Sequence, residues 1–253
     1  MRFANTYTQE EIDRLIQGRE NYTNTGGLDL AQQTLQNLSF ASKTLPSSNF
    51  YHADLFKSSF YKVDATQSNF SHANLECANF TMSDVSHADF SGVDMREAIC
   101  IDGKFQAVNF SGADLRGVDF SGADLSEADL SEADCTGAIF DGAILRGCKV
   151  ERTEFKGVHF KDTNLMEVAI ETAKMSSPST TFSGVQCENI YTVSCVRIEE
   201  TEVRVNYVVP MDCVVAGDWS GTLAEFKQFA ESVTSERSRR NILGAYQYFW
   251  SVT

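Results

Sequence analysis

Two serine–histidine pairs are the first residues whose types suggest chemistry. Residues 71–74 read Ser-His-Ala-Asn and residues 86–89 read Ser-His-Ala-Asp, so each stretch holds a nucleophile, a base and a polar third group. In a hydrolytic triad the base hydrogen-bonds the nucleophile while the third side chain orients the base. Adjacent residues of an extended chain point to opposite sides. Neither stretch therefore predicts a triad, and we expect no catalytic residues and no enzyme activity.

A metal site is the second chemistry that the residue types suggest. His52 and His72 are twenty residues apart and Cys77 follows soon after, but the set of ligands is incomplete. The seven cysteines are odd in number and lack the spacing of zinc ribbons. A Walker loop and a dinucleotide fingerprint are also missing from the sequence. We expect neither a metal nor a cofactor.

A repeat of five residues positions all of these side chains. From Leu30 to Met175 every fifth residue is apolar, thirty times without an insertion or deletion. The residue two before it is usually small or β-branched, as at Ala113 and Val118. A period of five fits neither a helix nor a strand, so the chain must turn after each unit.

If each unit is one side of a square coil, residues twenty apart share one column, and glycines such as Gly92 suit the corners. Two columns are then aromatic, and they leave no room for a ligand in the core. The first contains Phe40, Phe60, Phe80, Cys100, Phe120, Phe140 and Phe160, and the second contains Phe50, Phe70, Phe90 and Phe110.

The units at 112–116, Gly-Ala-Asp-Leu-Arg, and 122–126, Gly-Ala-Asp-Leu-Ser, resemble the motif of the pentapeptide-repeat family. The resemblance covers about three-fifths of the chain and implies an all-β solenoid, a right-handed quadrilateral β-helix. Some members of that family, among them quinolone-resistance and toxin-immunity proteins, are DNA mimics that act on DNA gyrase. This chain differs from them because it has no loop inserted between coils and carries an added tail, so no gyrase-binding residue is transferred.

Helices and strands are predicted on both sides of the repeat. Residues 8–11, Thr-Gln-Glu-Glu, form a capping box before a short helix that stops at Gly18 and covers the first coil. After the repeat breaks at 176–179, residues 180–192 would continue one last coil in a register shifted by two.

Strands at 202–209 and 212–216 are predicted next, followed by helices that begin at Thr222, with a second capping box, and at about Ser235. The predicted domains are an N-terminal helical cap and linker (1–27), the pentapeptide-repeat β-helix (28–177), and a final coil with a small C-terminal β-β-α-α domain that caps the coil or binds a partner (178–253).

Negative charge is concentrated in the middle of the repeat. The whole chain carries −14, and between Asp84 and Asp141 thirteen acidic residues face three basic ones, a local net charge of −10. This balance disfavours nucleic acids and anionic membranes and favours basic partners. A carboxylate before the large residue can also serve the backbone of the turn, so both roles stay open. The predicted acidic interaction surface consists of Asp84, Asp89, Asp94, Asp114, Asp119, Asp124, Glu127, Asp129, Glu132 and Asp134.

A rod with ordered negative charge would imitate the phosphate rows of duplex DNA. We therefore expect a non-enzymatic protein–protein interaction module. The first hypothesis is an acidic DNA mimic that inhibits or protects a topoisomerase, a nuclease or a restriction or defence protein by occupying its basic cleft. No direct binding of nucleic acid or membrane is expected. The polar N-terminus and the lack of an 18-residue apolar run predict a cytoplasmic protein.

The alternative is a structural scaffold or effector, bacterial or phage, that uses its aromatic C-terminal helix. Tyrosine and tryptophan are common anchors of protein interfaces. This surface would bind the partner or a second copy of the chain as a homodimer, and it consists of Tyr246, Tyr248, Phe249 and Trp250.

Overall fold

The computed structural model consists of a coil between one N-terminal helix and a C-terminal α+β unit. It describes residues 6–20, 27–174, 180–183, 185, 190–198, 201–208, 213–216, 219–233 and 236–252. The helices are α1 (Gln9–Glu20), α2 (Leu223–Ser232) and α3 (Glu236–Val252), with one 3-10 turn at Ile170–Thr172. The strands are β1 (His159–Lys161), β2 (Thr181–Ser183), β3 (Ile190–Ile198), β4 (Thr201–Val208), β5 (Cys213–Ala216) and β6 (Trp219–Gly221).

Parallel backbone bridges build the coil. Asp29 pairs with Asn49, Asn49 pairs with Asn69, and the offset of twenty recurs as far as Glu154 and Lys174. Because one bridge residue occurs in every five, each turn of the coil has four sides, which confirms the predicted β-solenoid. We number the sides by their bridge residues: side 1 with Asp84, Lys104, Asp124 and Ile144; side 2 with Asp89, Asn109, Asp129 and Lys149; side 3 with Asp94, Asp114, Asp134 and Glu154; side 4 with Asn79, Ile99, Asp119 and Ile139.

Every corner of the coil turns through a left-handed residue. At each fifth position from Gln32 to Glu167, φ lies between +53° and +72°, and twenty of these residues are not glycine. The carbonyl of the large residue accepts the N–H three residues on, as from Ala113 to Phe110 at 3.0 Å, which makes a β-turn whose third residue has positive φ. Glycine adopts this conformation freely, whereas for any other residue the conformation costs roughly 1–2 kcal/mol of folding free energy.

The inward side chains fill the coil as predicted. All twenty-nine described members of the thirty-residue apolar series are buried, and Met175 lies outside the described residues. Ring centroids of Phe40 and Phe60 are 4.9 Å apart and nearly parallel, and those of Phe50 and Phe70 are 4.7 Å apart. The two columns meet edge to face, as between Phe40 and Phe50 at 82°, which is a favoured geometry for aromatic pairs.

One ring in the core was not foreseen from the columns. Cys100 interrupts the first aromatic column, and Phe105 from the next side occupies the gap with its ring centroid 6.4 Å from Phe80 and 5.4 Å from Phe120. The aromatic core is therefore continuous through the middle of the coil.

Helix α1 lies against the first coil. The predicted capping box is present: the Thr8 N–H donates to Glu11 at 2.8 Å, and the Glu11 N–H donates to the Thr8 hydroxyl at 3.3 Å. Ile12 and Ile16 are buried in the coil's core. The predicted stop at Gly18 is wrong, because glycine costs only about 1 kcal/mol inside a helix and the helix continues to Glu20.

The side chain of Gln9 completes the open end of side 4. Its amide nitrogen donates to the Ser39 carbonyl at 2.8 Å, and its amide oxygen accepts from the Ser39 N–H at 2.7 Å. These are the two backbone groups that a preceding coil would have paired. The glutamine thus replaces one rung of the solenoid at an edge that would otherwise be open.

The coil continues past the break for one strand. β2 pairs in parallel with β1, and His159 aligns with Thr181, an offset of twenty-two. The predicted shift by two is therefore correct for this segment, and Val185 packs against the same core. For residues 190–192 the prediction of a last coil is wrong, because this segment begins the nine-residue strand β3. That strand pairs along most of its length with β4, whereas β1 and β2 pair over only three residues.

The C-terminal unit has more strands than predicted. β3, β4, β5 and β6 form one antiparallel sheet in sequence order, and α2 and α3 pack against it. The β-β-α-α prediction missed β3, whose first three residues are predicted as part of the last coil, and β6, which is only three residues long. The capping box at Thr222 is confirmed. The role of this unit as a cap stays a prediction, as do the domain boundaries after residues 27 and 177, and residues 21–26 and 175–179 lie outside the described residues.

Replacing a strained corner residue with glycine should stabilise the coil. Ala107 has φ of +53°, so Ala107→Gly is expected to raise the free energy of unfolding by about 0.5–1 kcal/mol once the added freedom of the unfolded chain is subtracted. Ala113, which is buried and inward, is the matched control, and Ala113→Gly should lower it by about 1 kcal/mol. Urea denaturation of both variants tests this, and equal destabilisation by the two would contradict corner strain.

Candidate protein-interaction surface

The eight predicted aspartates all support the turn that follows them. In each case a carboxylate oxygen accepts the backbone N–H two residues on, at 2.9–3.3 Å. Such bonds are typical of Asx turns, so the repeat itself accounts for an acidic or amide residue here. The residues are Asp84, Asp89, Asp94, Asp114, Asp119, Asp124, Asp129 and Asp134.

The ten predicted acidic residues surround the coil instead of forming one face. The bridges confirm the predicted columns on sides 1, 2 and 3, and they place Asp119 on side 4. Glu127 and Glu132 occupy corners, both with φ of +62°.

The acidic column of side 3 is partly neutralised by arginines. Arg96 lies 2.8 Å from Asp94 and 3.8 Å from Asp114, and Arg116 lies 2.5 Å from Asp114 and 3.8 Å from Asp134. The hydrogen bond from Arg96 lowers the pKa of Asp94, against the raising effect of burial. These carboxylates are therefore already bound to cations of their own chain.

Sides 1 and 2 contain further ion pairs. Burial raises the pKa of Asp84, but hydrogen bonds from Ser86 and Lys104 bring it below its usual value. Asp129 behaves in the same way through Ser131 and Lys149. The pairs are Lys104 with Asp84 at 3.3 Å, Lys149 with Asp129 at 3.4 Å, and Arg152 with Glu132 at 2.7 Å.

Four of the ten predicted carboxylates have no basic side chain within 4 Å among the described residues: Asp89, Asp119, Asp124 and Glu127. Asp119 shares side 4 and its following corner with Asp102 and Asp141, which the predicted surface omitted. A basic residue two or twenty positions after an aspartate, as at Arg96 or Lys104, would have identified the neutralised ones from the sequence, except Asp134, whose partner Arg116 comes before it.

Side 4 also carries exposed apolar residues that sequence reasoning missed. Ile99 is 42% exposed and Met82 is 49% exposed, and Ile139 is half-buried two coils above Ile99. Ile144 on side 1 is 38% exposed. Among the isolated bridge residues of the described coils, only these three isoleucines are apolar. The otherwise polar bridge positions are therefore apolar near one edge of the coil.

The serine–histidine pairs form no triad. The Ser71 hydroxyl donates to Asn69 at 2.6 Å, and the Ser86 hydroxyl lies 2.7 Å from Asp84. Both hydroxyls therefore serve the turn, not a histidine.

The suggested metal ligands do not converge. The rings of His52 and His72 stack with centroids 5.1 Å apart, so they face each other instead of directing nitrogens at one ion. In the part of the chain that the structure describes, no three His, Cys, Asp or Glu side chains are grouped to hold a metal. Burial raises the pKa of the Cys100 thiol and that of Cys148, the latter to about 12, which keeps these thiols protonated.

The predicted aromatic surface of α3 is only partly exposed. Trp250 is 67% exposed, and Tyr246 stacks on it with ring centroids 6.2 Å apart. Phe249 is wrong as a surface residue, because it is fully buried in a core with Phe226. Consecutive helical residues point in directions about 100° apart, so Phe249 faces the core while the adjacent Trp250 faces solvent. The side chain of Tyr248 lies outside the described residues.

The repeat decides the family. A profile described as pentapeptide repeats matches the coil in eight copies, over residues 48–86, 73–112, 109–147 and 133–169. The chain belongs to the pentapeptide-repeat family. Pentapeptide-repeat proteins are generally non-catalytic proteins that serve structural roles or bind other proteins. No curated protein sequence matches the chain.

Several solved pentapeptide-repeat structures are similar to it. One from the Arabidopsis thaliana thylakoid lumen is 29% identical over 38% of this chain and 66% of its own, with a TM-score of 0.37. Trypsin-treated QnrB1, a plasmid-mediated fluoroquinolone resistance protein, is 17% identical over 62% of this chain and 89% of its own, with a TM-score of 0.45. HetL of the cyanobacterium Nostoc, involved in regulating heterocyst differentiation, is 17% identical over 70% and 93%, with a TM-score of 0.22.

Within the described residues, every helix is too short or too polar to cross a bilayer.

Acid should weaken the coil in part through Asp94. Because the pKa of Asp94 is lower in the folded chain than its ordinary 3.8, its stabilising contribution is complete above that value and is lost as the pH falls through the folded pKa. We expect Asp94→Asn to lower the free energy of unfolding at neutral pH and to reduce its fall below about pH 4.

Urea titrations across this pH range measure the effect. Glu127→Gln, which removes a carboxylate that lies outside the ion pairs, is the control and should retain the dependence of the unaltered chain. An Asp94→Asn curve parallel to that of the unaltered chain would refute the assignment.

Proposed function

We propose that this pentapeptide-repeat protein is a non-enzymatic interaction module, an acidic rod that mimics DNA and occupies the basic cleft of a DNA-processing enzyme. The filled core leaves the outer surface for binding. The observation that supports this proposal best is a set of carboxylates that make no ion pair within 4 Å among the described residues, at Asp119 and Asp124 and at the neighbouring Asp102 and Asp141.

The charge density of the rod supports the mimicry. The net charge of −10 between Asp84 and Asp141 extends over 58 residues, which is nearly three coils, or about 14 Å at a rise of about 4.8 Å per coil. One net charge therefore occurs per about 1.4 Å of axis, close to about 1.7 Å for duplex DNA. As in DNA, the charges surround the axis and are held in register by the backbone.

Competition with DNA tests the proposal. At low salt the purified chain is expected to displace labelled duplex from at least one enzyme of a panel containing a topoisomerase, a nuclease and a restriction endonuclease. Removing two unpaired charges with Asp119→Asn and Asp124→Asn should raise the half-displacing concentration by about tenfold, or about 1.4 kcal/mol. Asparagine preserves the Asx turn, as at Asn109.

The matched control removes two paired charges from side 3, with Asp94→Asn and Asp114→Asn. It is expected to have the smaller effect, because those carboxylates already contact Arg96 and Arg116. If no enzyme of the panel releases its DNA, or if the two double variants behave alike, the mimic proposal is refuted.

We also propose a second function, self-association through α3, which the exposed Trp250 favours. Its indole stacks on Tyr246, over which Lys227 lies at 5.8 Å. If this surface forms a homodimer, light scattering at increasing concentration should show a dimer that Trp250→Ala abolishes without changing the melting temperature measured at a concentration where both chains are monomeric. Leu15→Ala, which removes an equally apolar exposed side chain from α1, should leave the dimer intact. A monomer at every concentration would eliminate this function.

A further inference from the structure

We infer that the edge between sides 4 and 1 docks a cationic amphipathic α-helix of a protein partner. This inference rests on the proposed role as an interaction module and names the chemistry of its partner. We call the surface the apolar–acidic edge. It consists of Met82, Ile99, Ile101, Asp102, Asp119, Asp124, Ile139, Asp141 and Ile144.

Apolar side chains lie at both ends of this edge. At one end the Met82 N–H donates to the Ile101 carbonyl at 2.9 Å, and Ile99 lies beside them on side 4. At the other end Ile139 and Ile144 lie on either side of the corner that follows side 4. Single exposed apolar residues are common on proteins. Here, however, they group at two points of one edge, and Ile99, Ile139 and Ile144 occupy bridge positions that are otherwise polar.

The centre of the edge is acidic. The Asp102 N–H donates to the Ser121 carbonyl, and the Gly122 N–H donates to the Asp141 carbonyl, each at 2.9 Å, so successive corners bring Asp102, Gly122 and Asp141 together. A Cβ on Gly122 would lie only 2.3 Å from a carboxylate oxygen of Asp102. That carboxylate therefore lies directly over the Gly122 backbone.

The spacing of the two apolar ends selects a helix. Ile99 and Ile139 both bridge to Asp119, so they are two coils apart, or about 9.6 Å. Residues i and i+7 of an α-helix lie on one face about 10.5 Å apart, and residues i+3 and i+4 lie between them on the same face. An extended strand spans this distance in three residues, which places the two side chains on opposite faces.

The negative charge at the centre of the apolar–acidic edge determines which residues the partner helix carries between its two apolar positions. Asp102, Asp119, Asp124 and Asp141 make no ion pair within 4 Å among the described residues. The helix that fits therefore carries apolar residues at i and i+7 and arginine or lysine at i+3 and i+4. Nucleic acids and anionic membranes are repelled by the same carboxylates.

A synthetic peptide tests this inference directly. The probe is a fluorescein-labelled, alanine-based helix of about sixteen residues, with leucines seven residues apart and two arginines in the turn between them. Its dissociation constant is measured by fluorescence anisotropy on the full chain. A scrambled peptide of the same composition is expected to bind at least about tenfold more weakly.

Variants of the chain locate the site. Ile99→Asn with Ile139→Asn is expected to weaken binding about tenfold, and asparagine occurs naturally at the same repeat position in Asn79. Asp119→Asn with Asp124→Asn should weaken binding and reduce its salt dependence. The matched control on the opposite side, Asp89→Asn with Asp129→Asn, should bind within about twofold of the unaltered chain. Thermal melts confirm that each variant is folded.

Several results would overturn the inference. These are equal binding of the scrambled peptide, no loss from the isoleucine variant, or an equal loss from the Asp89 and Asp129 control. The result also separates this inference from the proposed function. If the rod displaces DNA from an enzyme but ignores the patterned helix, only the helix inference fails. If the helix binds while no enzyme of the panel releases its DNA, the mimic proposal fails and the edge stands.

Discussion

The β-turn that closes every fifth residue is the interaction on which the whole coil depends. Because most of the large residues accept a hydrogen bond from the N–H three positions on, the backbone turns at constant intervals and meets itself twenty residues later. Columns inside and outside the coil follow from that register. A single inserted residue would move every later side chain out of its column, and the shift of two residues between β1 and β2 coincides with the end of the regular repeat.

The core could be predicted from the sequence because its cause is periodic. A five-residue spacing of apolar residues defines the inward positions, and every described member of the series is buried. Phe105 was not foreseen as part of the aromatic stacks, because it reaches the gap at Cys100 from another side of the coil. The C-terminal sheet was predicted poorly for a related reason. Residues 190–192 alone resemble a coil side, whereas their place in an antiparallel sheet depends on pairing with the strand at 201–208.

The acidic residues of the candidate surface could be predicted from the sequence, but which of their charges are neutralised by neighbouring basic side chains could not. The sequence contains the aspartates and their columns, yet each aspartate first serves its own turn. Whether it also offers charge to a partner depends on side chains that fold back from two or twenty residues away, as Arg96 and Lys104 do. The isoleucines of side 4 were overlooked for a similar reason, since a bridge position is apolar only by exception, and exposure is a property of the three-dimensional column.

The amide of Gln9 limits end-to-end association of the solenoid. A solenoid whose first rung were open would be its own template, and a second molecule could add to it end to end without limit. Gln9 occupies both backbone groups of Ser39 with a side chain that offers no onward strand. Strand addition at that position is therefore blocked by hydrogen bonds. One polar side chain thus helps to keep a motif that could otherwise polymerise as a finite molecule.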